Sequence, residues 1–322
     1  VCSSDLVHYS LMLVQETAQA GFASLAVAIG GQNELVSPYL QNIGTEEQKR
    51  YWLPKMVTGE VVTAIAMTEA NAGSDLQAIR TQAILENDHY RVNGSKTFIS
   101  NGLHADLIVL VAKTDPQAKA KGISILLVDA ALDGVKKGRS LQKIGLHAQD
   151  TAELFFDDVC VPATQRLGEE GQGFAYLMQE LPRERLSISM MALGSILGAI
   201  ELTKDYVLER KAFGQPLSQM QNTRFVLANA QIKAKAAQAF VDQCAALYQQ
   251  HQLSVAQVAA LKCFITDTQC EVIDQLLQLF GGYGYMQEYP ISRFFVDARV
   301  QKIYGGTNEI MKEIVARELL GK

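Results

Sequence analysis

The chain has 322 residues, with 29 Lys or Arg against 34 Asp or Glu, which gives a formal net charge of −5. This length favours two domains and supplies ample apolar material for a core. The acidic balance and the lack of a basic block argue against nucleic acid as a partner. The apolar runs are shorter than the roughly 20 residues that cross a bilayer, so we predict no membrane span.

The cysteine and histidine content argues against a disulfide-rich protein and against a metal site. The five cysteines are odd in number and lack metal-ligand spacing, and the five histidines are scattered. This pattern indicates a reducing compartment, no disulfide framework and no metal site.

The N-terminal segment, to about residue 62, has a helical pattern. Its first six residues, Val1 to Leu6, resemble a translated sequencing-adapter fragment, with a native frayed end as the alternative. Gly30-Gly31 predicts a break, and a second helix is expected after Thr45, which forms a capping-box pattern with Gln48. One apolar helix face is predicted from four residues: Leu11, Val14, Ala18 and Phe22.

Between about residues 61 and 167 the apolar period changes to two, which predicts a small β-domain. Asn87-Asp88 predicts a turn, and Asn93-Gly94 is a strong hairpin-turn signal. The predicted strands are Val61–Met67, Thr81–Leu85, His89–Val92, Lys96–Ser100, Leu107–Lys113, Ile123–Val128 and Ala152–Phe156.

From Gly173 onward the pattern is helical again. Pro182 suits a first helical position, which predicts one long helix from there to about Lys211. Ser254 is a good cap for another helix. Further helices are predicted over residues 222–250, 254–280 and 309–320.

Long helices after a block of strands predict an α+β chain with segregated domains. Its parts are a helical N-terminal remnant over residues 1–62, a middle β-domain (a small barrel or sandwich) over 63–170, and a C-terminal four-helix-type bundle over 171–322.

Five segments carry residues suited to ligand chemistry. In the first, Thr68 and Ser74 place hydroxyls beside backbone N–H groups, and such clusters can hold a phosphate or a polar ring edge. The segments, in chain order, are Ala64–Leu76, Val92–Gly102, Glu209–Gly214, Gln278–Gly284 and Ile303–Ile310.

Together these segments resemble the acyl-CoA dehydrogenases, flavin enzymes that desaturate acyl-CoA thioesters. The resemblance runs from about Val7 to the C-terminus and is closest to the long-chain branch, in Gly145–Phe156 and Leu181–Leu186. It implies FAD as cofactor, long-chain acyl-CoA as substrate, a trans-2-enoyl product of fatty-acid β-oxidation, an electron-transfer flavoprotein as acceptor and a homotetramer. It also implies that roughly 60 to 70 N-terminal residues of the family pattern are missing. We expect a bacterial cytoplasm, with a mitochondrial matrix as the alternative.

The resemblance also assigns cofactor contacts. Phe98 stands where the family often has tryptophan, and Arg210, assisted by Gln221, is expected to reach the FAD pyrophosphate of a neighbouring subunit. Considered alone, Phe98 would be ordinary core, Arg210 a partner of the helix dipole, and Gly281-Gly282 a helix cap. The assigned contacts are Met67, Thr68, Ser74, Phe98, Ile99, Ser100, Arg210, Phe213, Gln221, Gln278, Gly281, Gly282, Thr307 and Glu309.

Glu184 is the predicted catalytic base. Many relatives have a glutamate before the Gly-Thr of the last motif, but Gly305 occupies that place here and has no side chain to titrate. Glu184 matches the glutamate that the long-chain and isovaleryl branches use. We expect it in the first turn of the long helix, where the dipole lowers its pKa slightly and burial raises it by up to about 3–5 units. The alternative is a surface acid paired with Arg183 or Arg185.

Substrate contacts follow from the same likeness: the Gly305 N–H is expected to bind the thioester oxygen. The assigned substrate-binding residues are Ser74, Arg185, Tyr304 and Gly305. A branched-chain acyl-CoA dehydrogenase, an oxidase and an inactive flavin-binding fragment remain alternatives.

Overall fold

The computed structural model describes residues 4–321. The chain divides into two compact units: a helical unit of residues 1–27, 144–147 and 182–322, and a sheet unit of residues 28–143 and 148–181. Residues 1–3 of the proposed adapter fragment lie outside the described range, and α1 begins at Ser4.

The helices and strands follow the predicted order of helix, strand and helix. The helices are α1 Ser4–Gln19, α2 Ala23–Gly30, a π-helical segment Gly31–Val36, α3 Ser37–Ile43, α4 Glu46–Thr58, α5 Gly173–Glu209, α6 Gln221–Gln249, α7 Val255–Gln278, α8 Pro290–Ala298 and α9 Asn308–Leu320. The strands are β1 Thr63–Ala66, β2 Gln82–Glu86, β3 His89–Ser100, β4 Leu107–Lys113, β5 Ile123–Asp129, β6 Val135–Ser140, β7 Thr151–Pro162, β8 Arg166–Leu167, β9 Lys211–Ala212 and β10 Gln215–Pro216.

The sheet unit is built around β4, which is buried on both faces. The strand order is β6-β7-β3-β2-β4-β5-β8, and β1 pairs parallel to β4. Leu107, Val109 and Val111 pack with residues of α3 and α4, whereas Ile108 and Leu110 pack with residues of β3 and β7. A strand buried on both sides is apolar at every position, which explains the unbroken apolar run from 107 to 112.

The predicted hairpin turn at Asn93-Gly94 is wrong. The turn lies at Asn87-Asp88, as the other signal predicted, and β3 runs without interruption through residues 93 and 94. Gly94 is needed for a different reason, because a Cβ there would overlap the backbone and side chain of Thr81. The glycine is therefore explained by the close approach of β3 to Thr81, and the Asn-Gly pair does not mark a turn.

In the helical unit, α1 lies against α5 at backbone distance. A side chain at Gly194 would overlap the carbonyl of Gln15, and one at Gly198 would overlap that of Gln19. Because glycine alone permits this approach, Gly194 and Gly198 are packing positions on α5. The core between the helices takes its residues from α1, α5, α6, α7 and α8.

Two N-terminal details differ from prediction. Phe22 exposes 57% of its surface, because Gly21 takes a left-handed conformation after the end of α1 and carries Phe22 off the predicted face. The helix is not broken at Gly30-Gly31 but continues there as a π-helical segment. The side-chain oxygen of Gln32 in that segment accepts hydrogen bonds from the N–H and the hydroxyl of Thr63, which attach the segment to β1. The capping box predicted at Thr45 and the cap predicted at Ser254 are both confirmed, and Ser254 also forms a capping box with Gln257.

Helix α5 is long and apolar enough to cross a membrane by length and composition, but 78% of its most apolar window is buried inside the protein. A buried core helix gives the same signal. Among residues 4–321, no group of His, Cys, Asp and Glu could hold a metal ion. The four cysteines of that range are free thiols.

Candidate active site

A two-glycine turn before α9 forms the centre of the site in the helical unit. Gly305 and Gly306 have φ values of 65° and 89°, a left-handed conformation that favours glycine. Two cations hold their carbonyl oxygens: Arg185 Nε donates to Gly305 O at 3.2 Å, and Lys262 Nζ donates to Gly306 O at 2.8 Å. The turn is thus fixed from α5 and from α7.

Glu184 faces this turn from α5. A Cβ placed on Gly305 would lie 3.6 Å from Glu184 Oε1. The other carboxyl oxygen, Oε2, is shielded from solvent and has no hydrogen-bond partner among the described residues. Burial raises the pKa of Glu184 to about 7, against the opposing charges of Arg185 and Lys262. A carboxyl group with this pKa can take a proton near neutral pH.

The expected cause of the pKa shift is confirmed for burial and wrong for the helix dipole. Pro182 lies inside α5, which begins at Gly173, so Glu184 is about three turns from the helix N-terminus. The dipole acts only within the first turn and does not reach it. The pKa of Glu184 is therefore raised by desolvation and lowered by the charges of Arg185 and Lys262.

Tyr304 and Ile188 complete the surroundings of the carboxylate. The Tyr304 hydroxyl is buried without a described partner, and burial together with the Glu184 charge raises its pKa. Ile188, one turn along α5 from Glu184, fills the space that a side chain at Gly305 would take. Glu184 Oε2 and Tyr304 Oη thus both lack a hydrogen-bond partner among the described residues, and both residues lie at the Gly305 turn. A polar ligand could satisfy both atoms.

Thr307 and Glu309 have structural roles at the start of α9. Thr307 is the N-cap, and its hydroxyl accepts from the Ile310 N–H at 3.4 Å. Glu309 lies in the first helical turn, where hydrogen bonds to its own backbone and to Thr307 lower its pKa. Their predicted contacts with the cofactor stay predictions.

A second group of predicted residues lies at exposed positions of the helical unit. The Arg210 guanidinium lies 5.3 Å from the ring centre of Tyr283, within the helical turn Gly281–Tyr285. A Cβ at Gly281 or Gly282 would meet only open space. Phe213 exposes 96% of its surface. Gln221 begins α6 and Gln278 ends α7. The Arg210 cation, the glycine backbone at 281 and 282, and the exposed Phe213 ring suit a ligand that carries both a phosphate and an aromatic ring.

In the sheet unit the two predicted flavin segments are joined. Thr97 N donates to Thr68 O at 2.9 Å, and Lys96 Nζ donates to Met67 O at the same distance. A β-bulge gives Phe98 a φ of 58° and leaves 68% of its surface exposed.

The remaining residues of these segments differ in exposure. Ser74 and Ser100 are exposed, and each could contact a ligand with its side chain. Ile99 is buried in the sheet core, so it offers only its backbone to a ligand.

Lys96 and Glu69 form a buried ion pair behind these segments, with 2.8 Å between Nζ and Oε1. Lys96→Met would leave the Glu69 carboxylate without its counter-charge. We expect the free energy of unfolding to fall by about 3–5 kcal/mol, measured by urea denaturation. The double variant Glu69→Gln/Lys96→Met removes both charges and should recover part of that loss. A single variant as stable as the parent would contradict this account.

Sequence reasoning missed Lys262, Asn308 and Ile188. Lys262 is a charged residue on the buried face of an apolar helix, and that pattern could have revealed it. Asn308 appears in the last motif, but its partners lie on α7, more than 40 residues earlier in the chain. The contact of Ile188 with Gly305 depends on tertiary structure and had no sequence signal.

Three domain models match the chain in order: "Acyl-CoA dehydrogenase, N-terminal domain" over residues 3–60, "middle domain" over 64–159 and "C-terminal domain" over 171–320. The chain belongs to the acyl-CoA dehydrogenase family. It is therefore an oxidoreductase that acts on CH–CH groups, and the predicted α+β fold class of helices, β-domain and helical domain is confirmed.

Individual relatives agree with this assignment. A long-chain specific acyl-CoA dehydrogenase of Sus scrofa is 48% identical over 290 residues, 89% of this chain and 67% of that protein. A short-chain specific enzyme of Clostridium acetobutylicum is 35% identical over 98% of this chain and 83% of its own length. The crystal structure of an acyl-CoA dehydrogenase from Geobacillus kaustophilus has a TM-score of 0.94 and 50% identity, covering 97% of this chain and 82% of that one.

Acyl-CoA dehydrogenases depend on FAD, and the residues present fit such a cofactor. The bulge at Phe98 presents an apolar ring to an aromatic ligand. The exposed cation and bare glycine backbone around Arg210 suit a pyrophosphate.

Proposed function

We propose that the protein oxidises long-chain acyl-CoA to trans-2-enoyl-CoA in fatty-acid β-oxidation, with Glu184 as the catalytic base. The observation that supports this role is the buried, unpartnered carboxyl oxygen of Glu184 beside the Gly305 turn. A carboxylate with a pKa of about 7 is matched to proton removal near neutral pH.

In the proposed reaction the protein residues bind, orient and deprotonate the thioester. Glu184 takes the α-proton, and the electron pair of that C–H bond forms the new double bond. Arg185 and Lys262 hold the carbonyls of Gly305 and Gly306, which fixes the backbone where the thioester oxygen is proposed to bind. When bound, FAD would supply the oxidant for the β-hydrogen, which leaves the substrate with its electron pair as a hydride.

We base the proposed preference for long-chain acyl-CoA on the position of the catalytic base, Glu184. Glu184 projects from α5 toward position 305, and no acidic side chain projects from that position in return. The more identical of the two enzymes compared above is the long-chain one. A series of acyl-CoA substrates from butyryl to palmitoyl, with isovaleryl-CoA included, tests this. Faster reduction of FAD by butyryl-CoA or isovaleryl-CoA than by palmitoyl-CoA would reject the long-chain assignment.

We propose an electron-transfer flavoprotein as the acceptor and a homotetramer as the assembly. The exposed face around Arg210 and Phe213 supports the second proposal, because a further copy could cover it together with the FAD pyrophosphate. Light scattering that gives a monomer for the FAD-loaded protein would reject the tetramer. Rapid reoxidation by oxygen alone would instead indicate an oxidase.

The proposed base predicts a pH dependence. The rate of FAD reduction should rise about tenfold per pH unit below the pKa of Glu184, about 7, and level off above it. The stability effect has the opposite slope. The folded protein keeps this proton from the ordinary value of 4.5 up to about 7, whereas the unfolded chain has lost it. This group therefore makes the free energy of unfolding fall as pH rises through that window.

Stopped-flow absorbance of the flavin across this pH range checks the kinetic prediction. A rate that is flat from acid to neutral pH, with substrate binding unchanged, would contradict the assignment of Glu184.

A further inference from the structure

Lys262 is a buried cation whose place in the fold needs an explanation. It lies on α7 with 0% of its surface exposed, and Nζ donates to Gly306 O at 2.8 Å and to Asn308 Oδ1 at 3.0 Å. Burying an ammonium group is costly unless its hydrogen bonds are satisfied, and a buried apolar side chain would suit the core better. The contacts of Lys262 therefore indicate a specific role.

Those contacts link α7 to the glycine turn and to the start of α9. Asn308 is the first residue of α9, and its Nδ2 donates to Thr266 Oγ1 at 3.0 Å and to Asp267 Oδ1 at 3.1 Å. Lys262 thus holds both a carbonyl of the turn and a side chain that is itself bonded back to α7. From the other side, Arg185 on α5 holds the carbonyl of Gly305.

We propose that Lys262 is a positioning residue for the reaction, holding the Gly305–Gly306 turn against Glu184 so that the thioester binds in line with the base. The inference rests on the proposed function in one respect, that the thioester binds at this turn. Lys262 is fully buried, and its Nζ bonds protein atoms, Gly306 O and Asn308 Oδ1. It acts through the backbone of the turn, where Arg185 holds the carbonyl of Gly305 and Lys262 holds the next one, that of Gly306.

The charges around the pair give the role an electrostatic consequence. Glu184 is faced by Arg185 from its own helix, by Lys262 from α7 and by the Tyr304 hydroxyl from the turn. Burial lowers the pKa of Lys262 to about 8; Cys263, Glu184 and Asp267 act to raise it, and Arg185 to lower it further. Lys262 is therefore charged at neutral pH, and its charge favours the carboxylate form of Glu184.

The test compares Lys262→Met with Lys204→Met in the FAD-loaded protein. Lys204 is the control lysine because it also lies on a helix of the helical unit, but 56% of its side chain is exposed and its partner is the neighbouring Asp205 at 3.7 Å. Two quantities are measured: the rate of FAD reduction by palmitoyl-CoA on both sides of neutrality, and amide hydrogen exchange in peptides covering residues 303–311.

For Lys262→Met we expect reduction to slow on the order of 10²-fold, as small displacements of reacting groups do. The pH midpoint should move upward, because Glu184 has lost a favourable charge, and exchange across residues 303–311 should become faster. FAD content should stay at the parent level. Lys204→Met should match the parent in rate, midpoint and exchange.

Unchanged exchange in Lys262→Met overturns the holding role, whatever the activity. Faster exchange with the parent rate and midpoint overturns the link to the reaction. If the parent itself is not reduced by any acyl-CoA, the proposed function fails, and the exchange comparison still decides whether Lys262 holds the turn. If Lys262→Met does not fold, Lys262→Gln keeps an amide donor without the charge. It should shift the midpoint upward with a smaller change in exchange, and an unshifted midpoint overturns the proposal.

Discussion

Glu184→Gln is expected to slow the reduction of bound FAD by acyl-CoA by about 10²–10⁴-fold, the usual contribution of a general base. The amide has nearly the same shape as the carboxyl group but cannot accept the α-proton. Glu184 is not among the residues assigned to the cofactor, so FAD content should be unchanged. Stopped-flow bleaching of the flavin with palmitoyl-CoA measures the effect.

Glu201→Gln is the matched control for that substitution. Glu201 lies on the same helix and is exposed to solvent, so its variant should react at the parent rate. If Glu184→Gln is bleached as fast as the control, another group removes the proton and the assignment of the base is wrong.

Gly305→Ala is expected to combine a loss of stability with a large loss of activity. Its φ of 65° is left-handed, and placing a side chain in such a conformation costs about 1–2 kcal/mol. The added methyl group would also overlap the Cδ1 atom of Ile188. Either the turn or the end of the Ile188 side chain must shift to relieve this contact, and a displacement of the turn by about 1 Å can cost 10²-fold in rate. Thermal unfolding and flavin bleaching measure the two effects.

Gly59→Ala separates the two causes. Gly59 has a φ of 75°, and a Cβ there meets nothing within 4 Å, so its variant should lose stability but not activity. Adding Ile188→Ala to Gly305→Ala should restore part of the rate, because it removes the overlap. A Gly305→Ala variant with the activity of Gly59→Ala would show that the position of the turn does not matter.

Local signals predicted much of the fold because their causes are local. The capping boxes at Thr45 and Ser254 join atoms three residues apart, and the apolar run of β4 reflects burial of every side chain in it. Asn93-Gly94 misled because its composition suits a turn, while the actual requirement was room for Thr81, the residue just before the neighbouring strand β2. Pro182 misled in the same way: tertiary packing keeps α5 helical on both sides of it.

The candidate site was predicted only as far as the motifs reach. Glu184 was placed opposite position 305 through resemblance, and the two residues are close in the structure. The sequence could not show that Lys262 and Arg185 hold neighbouring carbonyls, because those contacts join residues 44 and 120 positions apart. Nor could it show that Glu184 lies deep within a helix, since that depended on where α5 begins.

The glycines at 194 and 198 also bear on how the protein can be engineered. They let α1 settle onto the helix that carries Glu184, with Gln15 and Gln19 over the two bare positions. A shortened variant that starts after residue 19 would lack α1. The surface of α5 that α1 covers would then be exposed to solvent, together with hydrophobic neighbours such as Leu193. N-terminal tags are therefore best attached through a flexible spacer that leaves α1 free to dock.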